Sequence, residues 1–205
     1  MDNRLFFPAT KRNSDCIGDV LSKIIKRDDS ILEIGSGSGE HGVVFQKRFQ
    51  NIIWQTSDPV LIHRQSISSW IKYEELNNIM PQPLALDIEK IPWKIPLKLA
   101  QSLKGIVSIN MIHISQWTCT VALFKESGRL LKKGQFLMFY GPFKINNKHT
   151  SQSNYLFDNS LKMQNYCWGI RDLDDVSNEG KKNGFSQEEI SRMPANNFSI
   201  IYRKV

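Results

Sequence analysis

ILEIGSGSGEHGVVF, residues 31–45, joins an apolar run to an amphipathic one through a cluster of glycines. SILEI (30–34) reads as a strand and HGVVFQKRF (41–49) as a helix. Gly35, Gly37, Gly39 and Gly42 fall between or just inside them. Glycine lets the backbone turn tightly and lets a ligand approach with no Cβ in the way. The helix that follows turns its free N–H groups toward whatever sits there. A plain turn rarely needs four glycines, so the stretch predicts a binding loop at a strand end.

The same rhythm continues outward. Residues 15–27 have helical spacing, with Ile17, Val20, Leu21, Ile24 and Ile25 on one face. NIIWQTSD (51–58) is strand-like, 63–76 helical, and QPLALDI (82–88) a short strand. GIVSINMIHI (105–114) is apolar without alternation, as in a strand buried on both faces. A helix over 118–131 ends at Lys132-Lys133-Gly134, and QFLMFYGPF (135–143) is the next strand. A helix over 172–185 and a last strand over 196–205 close the chain. Strands alternating with helices predict an α/β fold, a doubly wound, mostly parallel, seven-stranded sheet in a single domain, 1–205. Residues 144–175 break the rhythm. They are polar, with isolated Tyr155, Phe157, Tyr166 and Trp168, and are expected to form an insertion or cap after the fifth strand. Residues 1–13 are expected to form an N-terminal cover.

Bulk properties narrow the class. Hydrophobic content of 40% and charge of 23% are ordinary for a soluble globular protein. No apolar stretch is long enough to span a bilayer, and the N-terminus does not read as a secretory signal. Cys16, Cys119 and Cys167 are scattered and odd in number, which predicts a reducing, cytoplasmic setting. The net charge of +7 admits an anionic partner, but the lysines lie in scattered pairs and nucleic acid is not expected. His41, His63, His113 and His149 lack paired spacing, so no metal site is expected.

In a doubly wound sheet, ligands sit at the carboxyl ends of the strands. Two classes compete for this loop. Gly37 to Gly42 spells GxGxxG, a dinucleotide signal. Glu33, Gly35, Gly37 and Gly39 spell the acidic-x-GxGxG pattern with which class I methyltransferases bind S-adenosylmethionine. Glu33 would oppose a pyrophosphate but suits an ammonium. Asp58, at the end of the second strand, can accept two ribose hydroxyls. Asp87, at the end of the third, can accept from an adenine amino group. The three acids together favour S-adenosylmethionine, with S-adenosylhomocysteine as product. The expected cofactor contacts are Glu33, Gly35, Ser36, Gly37, Gly39, His41, Asp58, Pro59, Asp87, Ile88, Asn110 and Met111. The Asn-Pro-Pro-aromatic pattern of DNA-adenine-type enzymes is missing, because Met111 and Ile112 stand where the prolines would be.

Stretches along nearly the whole chain carry a family resemblance: FFPATKRN (6–13), LEIGSGSGEH (32–41), WQTSD (54–58), LALDI (84–88), NMIHISQW (110–117), LMFYGPF (137–143), HTSQSNYLFDNSL (149–161), WGIRDLDDV (168–176) and MPANN (193–197). In these the chain resembles the class I methyltransferase-like proteins long grouped as a domain of unknown function, the methyltransferase-like twenty-six type of animals. The resemblance implies a Rossmann-like methyltransferase fold and S-adenosylmethionine binding. It supplies no substrate.

Methyl transfer needs a placed nucleophile, and a base if a proton must leave. His113, which titrates near neutrality as a free group, and Tyr140 are the candidate catalytic groups. Arg12, Asn154, Asp158, Trp168, Arg171 and Asn196 are candidate acceptor contacts. Each has a plainer reading: a loop histidine, a packed tyrosine, an Arg171–Asp172 ion pair fastening the cap, turn chemistry at Asn196. The expected activity is methyl transfer to a small-molecule acceptor, with no membrane partner. The alternatives are a non-catalytic cofactor-binding or interaction protein of the same fold, a nicotinamide oxidoreductase, and an RNA or protein methyltransferase. Oligomeric state is not specified by the sequence.

Overall fold

The computed structural model describes residues 2–205 and divides into two compact units, Met1–Val107 and Ser108–Val205. The first unit runs α1 (Thr10–Leu21), β1 (Ser30–Ile34), α2 (Glu40–Arg48), β2 (Ile53–Ser57), α3 (Leu61–Tyr73), α4 (Leu97–Ser102) and β3 (Leu103–Ile109), which continues past the boundary. Its strands lie in the order β2-β1-β3, and β1 pairs with β2 in parallel, from Ser30 opposite Ile53 to Ile34 opposite Ser57. All five β1 residues are buried, which is why the run shows no alternation. Phe45 of α2 packs on Trp54 of β2 with ring centroids 4.9 Å apart. Arg48 ties α2 to α1 through the Asp15 carbonyl and the Asp19 carboxylate.

The second unit runs α5 (Trp117–Leu130), β4 (Phe136–Gly141), β5 (Lys144–Ile145), β6 (Lys148–His149), α6 (Gln152–Gln164), α7 (Leu173–Lys182), β7 (Phe185–Met193) and β8 (Asn197–Lys204). Its sheet strands lie in the order β4-β8-β7, with β8 antiparallel to both neighbours. Phe124 is the hub of its core, with Phe139, Phe185 and Tyr202 at centroid distances of 5.4, 5.8 and 5.4 Å. Ser151 caps α6 and Asp172 caps α7 through their side chains.

The fold is α/β with a mainly parallel central sheet, but the sheet has six strands where seven were expected. Residues 82–88 form no strand. Only Leu84 bridges to Ser57, because Pro81 and Pro83 have no N–H to give to a ladder. The sheet instead gains β7, in which Ser186, Gln187 and Glu188 are exposed in succession, so it shows none of the apolar alternation that marks a strand. The cap therefore follows the fourth sheet strand. It consists of the β5–β6 hairpin, α6 and an irregular stretch that ends where α7 begins. No helix among the described residues is long and apolar enough to cross a membrane.

The turn from β1 to α2 explains three of the four glycines. Gly35, Gly37 and Gly39 have φ of +71°, +55° and +89°. A Cβ on Gly39 would lie 2.6 Å from Ile67 Cγ1 and 2.9 Å from Ile67 Cα. Gly42 has a different reason: its Cβ would lie 2.5 Å from Thr56 Cγ2, so it lets α2 press onto β2. Gly39→Ala should destabilise the fold by about 1–2 kcal/mol from the left-handed backbone alone. Urea denaturation checks this; a midpoint equal to wild type would mean that the turn relaxes without cost.

Candidate functional site

The glycine loop and the end of β2 are braced together by Asp58, which is 4% exposed. One carboxylate oxygen accepts from the Gly37 N–H at 2.9 Å; the other accepts from the Val60 N–H at 2.9 Å and meets His63 Nδ1 at 3.1 Å. Ser36 is stitched to β2 as well, with its N–H on the Ser57 carbonyl and its Oγ accepting from the Ser57 N–H. Each carboxylate oxygen has two lone-pair directions, so Asp58 retains acceptor capacity beyond the loop it braces.

Glu33 lies beneath the loop, fully buried. Trp54 Nε1 donates to its Oε2 at 2.9 Å. Burial pushes its carboxyl up to about 7, opposed by the Trp54 and Ser36 hydrogen bonds and assisted by the Asp58 charge. Glu33 is thus poised to gain or lose a proton near neutrality.

Asp87 stands on a turn, not at a strand end, accepting from the Glu89 N–H at 3.2 Å and pairing with Lys90 at 3.2 Å. It borders a cavity of about 460 Å³ whose apolar walls are Pro59, Leu86, Ile91, Pro92 and Trp93. Ile88 supports one wall by accepting from Trp93 Nε1 through its carbonyl.

The N-terminal stretch lies on the loop. The Phe7 N–H donates to Glu40 at 2.7 Å, the Leu5 N–H donates to Ser66 Oγ while its carbonyl accepts from Trp70 Nε1, and Ser66 Oγ donates to the Ser38 carbonyl. The Phe7 ring sits where a Cβ on Gly37 would be, 2.8 Å away, and meets His63 edge-on at 5.9 Å. Phe7, His63 and Trp54 were not anticipated as site residues. His63 follows Asp58 by five positions, within reach of one helical turn, and that spacing was the available signal.

His41 does not face the loop. Its Nε2 meets Asn13 Oδ1 of α1 at 2.8 Å and its ring stacks on Phe45, so it serves the α1–α2 contact. Burial holds its imidazole down to about 4. Arg12 is exposed on α1.

In the second unit, Asn110 follows β3 with φ +55° and donates its N–H to the Tyr140 carbonyl at 2.8 Å. Met111 is half-buried beside it, and Tyr140 is buried in β4. His113 is buried, and its Nδ1 makes no hydrogen bond. A Cβ on Gly141 would lie 3.2 Å from that nitrogen and 3.7 Å from Asn110 Oδ1, so the absence of a side chain there leaves room for both. Phe157 of α6 meets the His113 ring at 5.6 Å. Burial, with a smaller push from the Arg171 charge, holds His113 down to about 4, so it is a neutral imidazole throughout the physiological range.

The remaining acceptor candidates have structural partners. Asp158 accepts from Lys162 at 2.6 Å and the Ile170 N–H at 2.7 Å, with Lys144 and His149 each at 3.3 Å. Asn154 donates to Thr150 Oγ1 and to the Asn196 carbonyl, which ties α6 to the β7–β8 connection; Asn196 itself has φ +58°. Trp168 is half-buried, its N–H on the Asn165 carbonyl. The expected Arg171–Asp172 pair does not form. Arg171 donates to three carbonyls, and Asp172 caps α7 and accepts from the Asn147 N–H.

Solved structures share this fold at low identity. An O-methyltransferase family protein from Burkholderia thailandensis superposes with a TM-score of 0.77 at 13% identity, over 96% of this chain and 57% of that one. Human N-acetylserotonin methyltransferase, solved in complex with S-adenosylmethionine, gives 0.76 at 13%, over 96% and 52%. A Galdieria sulphuraria protein provisionally named as a sarcosine dimethylglycine methyltransferase gives 0.75 at 12%, over 98% and 92%. The chain spans little more than half the length of the first two and nearly all of the third. The architecture is that of the Rossmann-like methyltransferases. A family model matches residues 4–204, through both compact units, and the chain belongs to that family, described as "Protein of unknown function (DUF938)".

Proposed function

We propose that the protein binds S-adenosylmethionine and transfers its methyl group to a small-molecule acceptor, as the methyltransferase-like twenty-six resemblance also suggests. The observation that carries this reading is the Asp58 carboxylate bonded to the Gly37 N–H at the mouth of a left-handed glycine loop. The donor set fits an adenosyl ligand. Gly37 and Gly39 present bare backbone, Asp58 Oδ2 keeps one acceptor direction for a hydroxyl, and Asp87 borders an apolar slot suited to a flat ring.

When bound, S-adenosylmethionine supplies a methyl group activated by its sulfonium. The chain's residues do the rest. Glu33 offers a carboxylate that can ionise toward an ammonium. Phe7 covers the loop and limits the entry of water and of bulky acceptors, which favours a small acceptor. His113, neutral and with an unoccupied nitrogen, can accept a proton from an acceptor hydroxyl or amine, and Tyr140 braces the backbone from which it projects. Met111, Arg12 and Trp168 are offered to the acceptor or cofactor as secondary contacts. Glu33 also weighs against a dinucleotide, whose pyrophosphate would meet a second anion. No disulfide joins the cysteines among the described residues.

Calorimetric titration with S-adenosylhomocysteine and, side by side, with NADH tests the reading. Saturable binding of the former without the latter is expected. Binding of NADH alone would overturn it.

A further inference from the structure

Arg171 is a half-buried cation that makes no salt bridge among the described residues. Desolvating a charge is costly, so such a group needs several oriented partners. Here they are carbonyls. Nε donates to Ile112 O at 3.1 Å, and Nη2 donates to Ser115 O and to Cys167 O. The Gly169 N–H adds a fourth bond, to the His113 carbonyl at 3.0 Å. Residues 112, 113 and 115 are thus all gripped by the stretch 167–171. That stretch is in turn anchored by Asp158, which takes the Ile170 N–H at 2.7 Å and lies where a Cβ on Gly169 would be. The other end of the loop is fixed by the Asn110 N–H on Tyr140 O.

We propose that Arg171 is a positioning residue: it locks the backbone on either side of His113, and so sets where the imidazole points. A guanidinium suits this task because its planar fork reaches several acceptors at once, which a lysine ammonium does not reproduce. The same charge, close to His113, keeps the ring neutral beyond what burial achieves. The charged groups facing the ring are few. Arg171 comes from the 165–172 stretch; α6 presents uncharged Phe157, with Asp158 beside it already held by Lys162, Lys144 and His149; β4 approaches the ring at uncharged Gly141.

The catalytic consequence rests on the methyl-transfer reading, but the grip can be measured with no ligand. His113 is followed by imidazole NMR across pH, and the Gly169 amide by hydrogen exchange, in wild type, Arg171→Gln and Arg171→Lys. In wild type, His113 should stay neutral at pH 6 and Gly169 should be protected. Arg171→Gln should raise the His113 midpoint by roughly one pH unit and speed Gly169 exchange by about tenfold or more. Arg171→Lys should leave the midpoint near wild type while still speeding Gly169 exchange, which separates charge from grip. Unchanged Gly169 exchange in either folded variant would overturn the proposal. If neither variant folds, a wild-type Gly169 amide that exchanges freely, or a wild-type His113 that is charged at pH 6, would overturn it. S-adenosylhomocysteine titration of the same samples is independent: failure of wild type to bind sinks the functional reading and leaves the Arg171 result standing.

Discussion

Asp58→Ala is expected to weaken S-adenosylhomocysteine binding by about 1.5–3 kcal/mol, roughly 10- to 150-fold, the scale of a hydrogen bond to a charged group. The structure gives this carboxylate a second duty. It holds the Gly37 and Val60 N–H groups and steadies His63, so its removal leaves two backbone donors without their acceptor. The variant should therefore lose stability as well, by about 1–3 kcal/mol for each donor that water cannot reach. Affinity must be measured below the variant's melting transition, where the chain is folded. Asp58→Asn separates the duties: its amide oxygen can still serve one N–H, while its NH2 cannot accept from a ribose hydroxyl. A folded Asp58→Ala variant that binds as tightly as wild type would reduce Asp58 to a loop brace.

Much of the first unit was legible because burial there is expressed as pattern. β1 is apolar on both faces, and the glycines after it mark three left-handed residues. Glu33 and Asp58 were legible because each belongs to or follows a run that forms a strand, whereas Asp87 stands on a turn. The strand over 82–88 was misread because Leu84, Leu86 and Ile88 mimic a strand while Pro81 and Pro83 forbid the ladder. β7 was missed for the opposite reason: its exposed, polar run of Ser186, Gln187 and Glu188 shows no apolar alternation. Tertiary partners were out of reach of pattern. Nothing local says that His41 turns to Asn13, that Phe7 lies on Gly37, or that Arg171 ignores its acidic neighbour for three carbonyls far back in the chain. Long-range hydrogen bonds of this kind leave no periodicity.

Glu33→Gln is expected to stabilise the protein by about 3 kcal/mol at pH 8 and by little at pH 4. The carboxyl rises from an ordinary 4.5 in the unfolded chain to about 7 in the fold, first because it is buried. Between those values the folded state holds the proton more tightly than the unfolded state, so stability falls as pH rises from 4.5 to 7 and is level above. A raised carboxyl thus destabilises the fold on the alkaline side, the reverse of a carboxylate held by a cation. Total stability would hide this. His41 and His113, both lowered to about 4 by burial, lose stability as pH falls from 6.5 toward 4 and so oppose Glu33 over much of that range. The difference between wild type and Glu33→Gln cancels the histidines, and should grow by about 2 kcal/mol from pH 5 to pH 8 in urea denaturation. A difference independent of pH would show that Glu33 is already ionised in the fold. The glutamine can still accept from Trp54, so packing is preserved while the charge is lost. A position that costs stability as an acid above neutrality is tolerated where the charge has a use. The same variant tests that use: S-adenosylhomocysteine should bind it more weakly. In wild type near pH 7, binding should release a fraction of a proton as an ammonium draws Glu33 into its ionised form. Calorimetry in buffers of different ionisation enthalpy reads that release directly, and a heat that does not depend on the buffer would remove Glu33 from the cofactor's contacts.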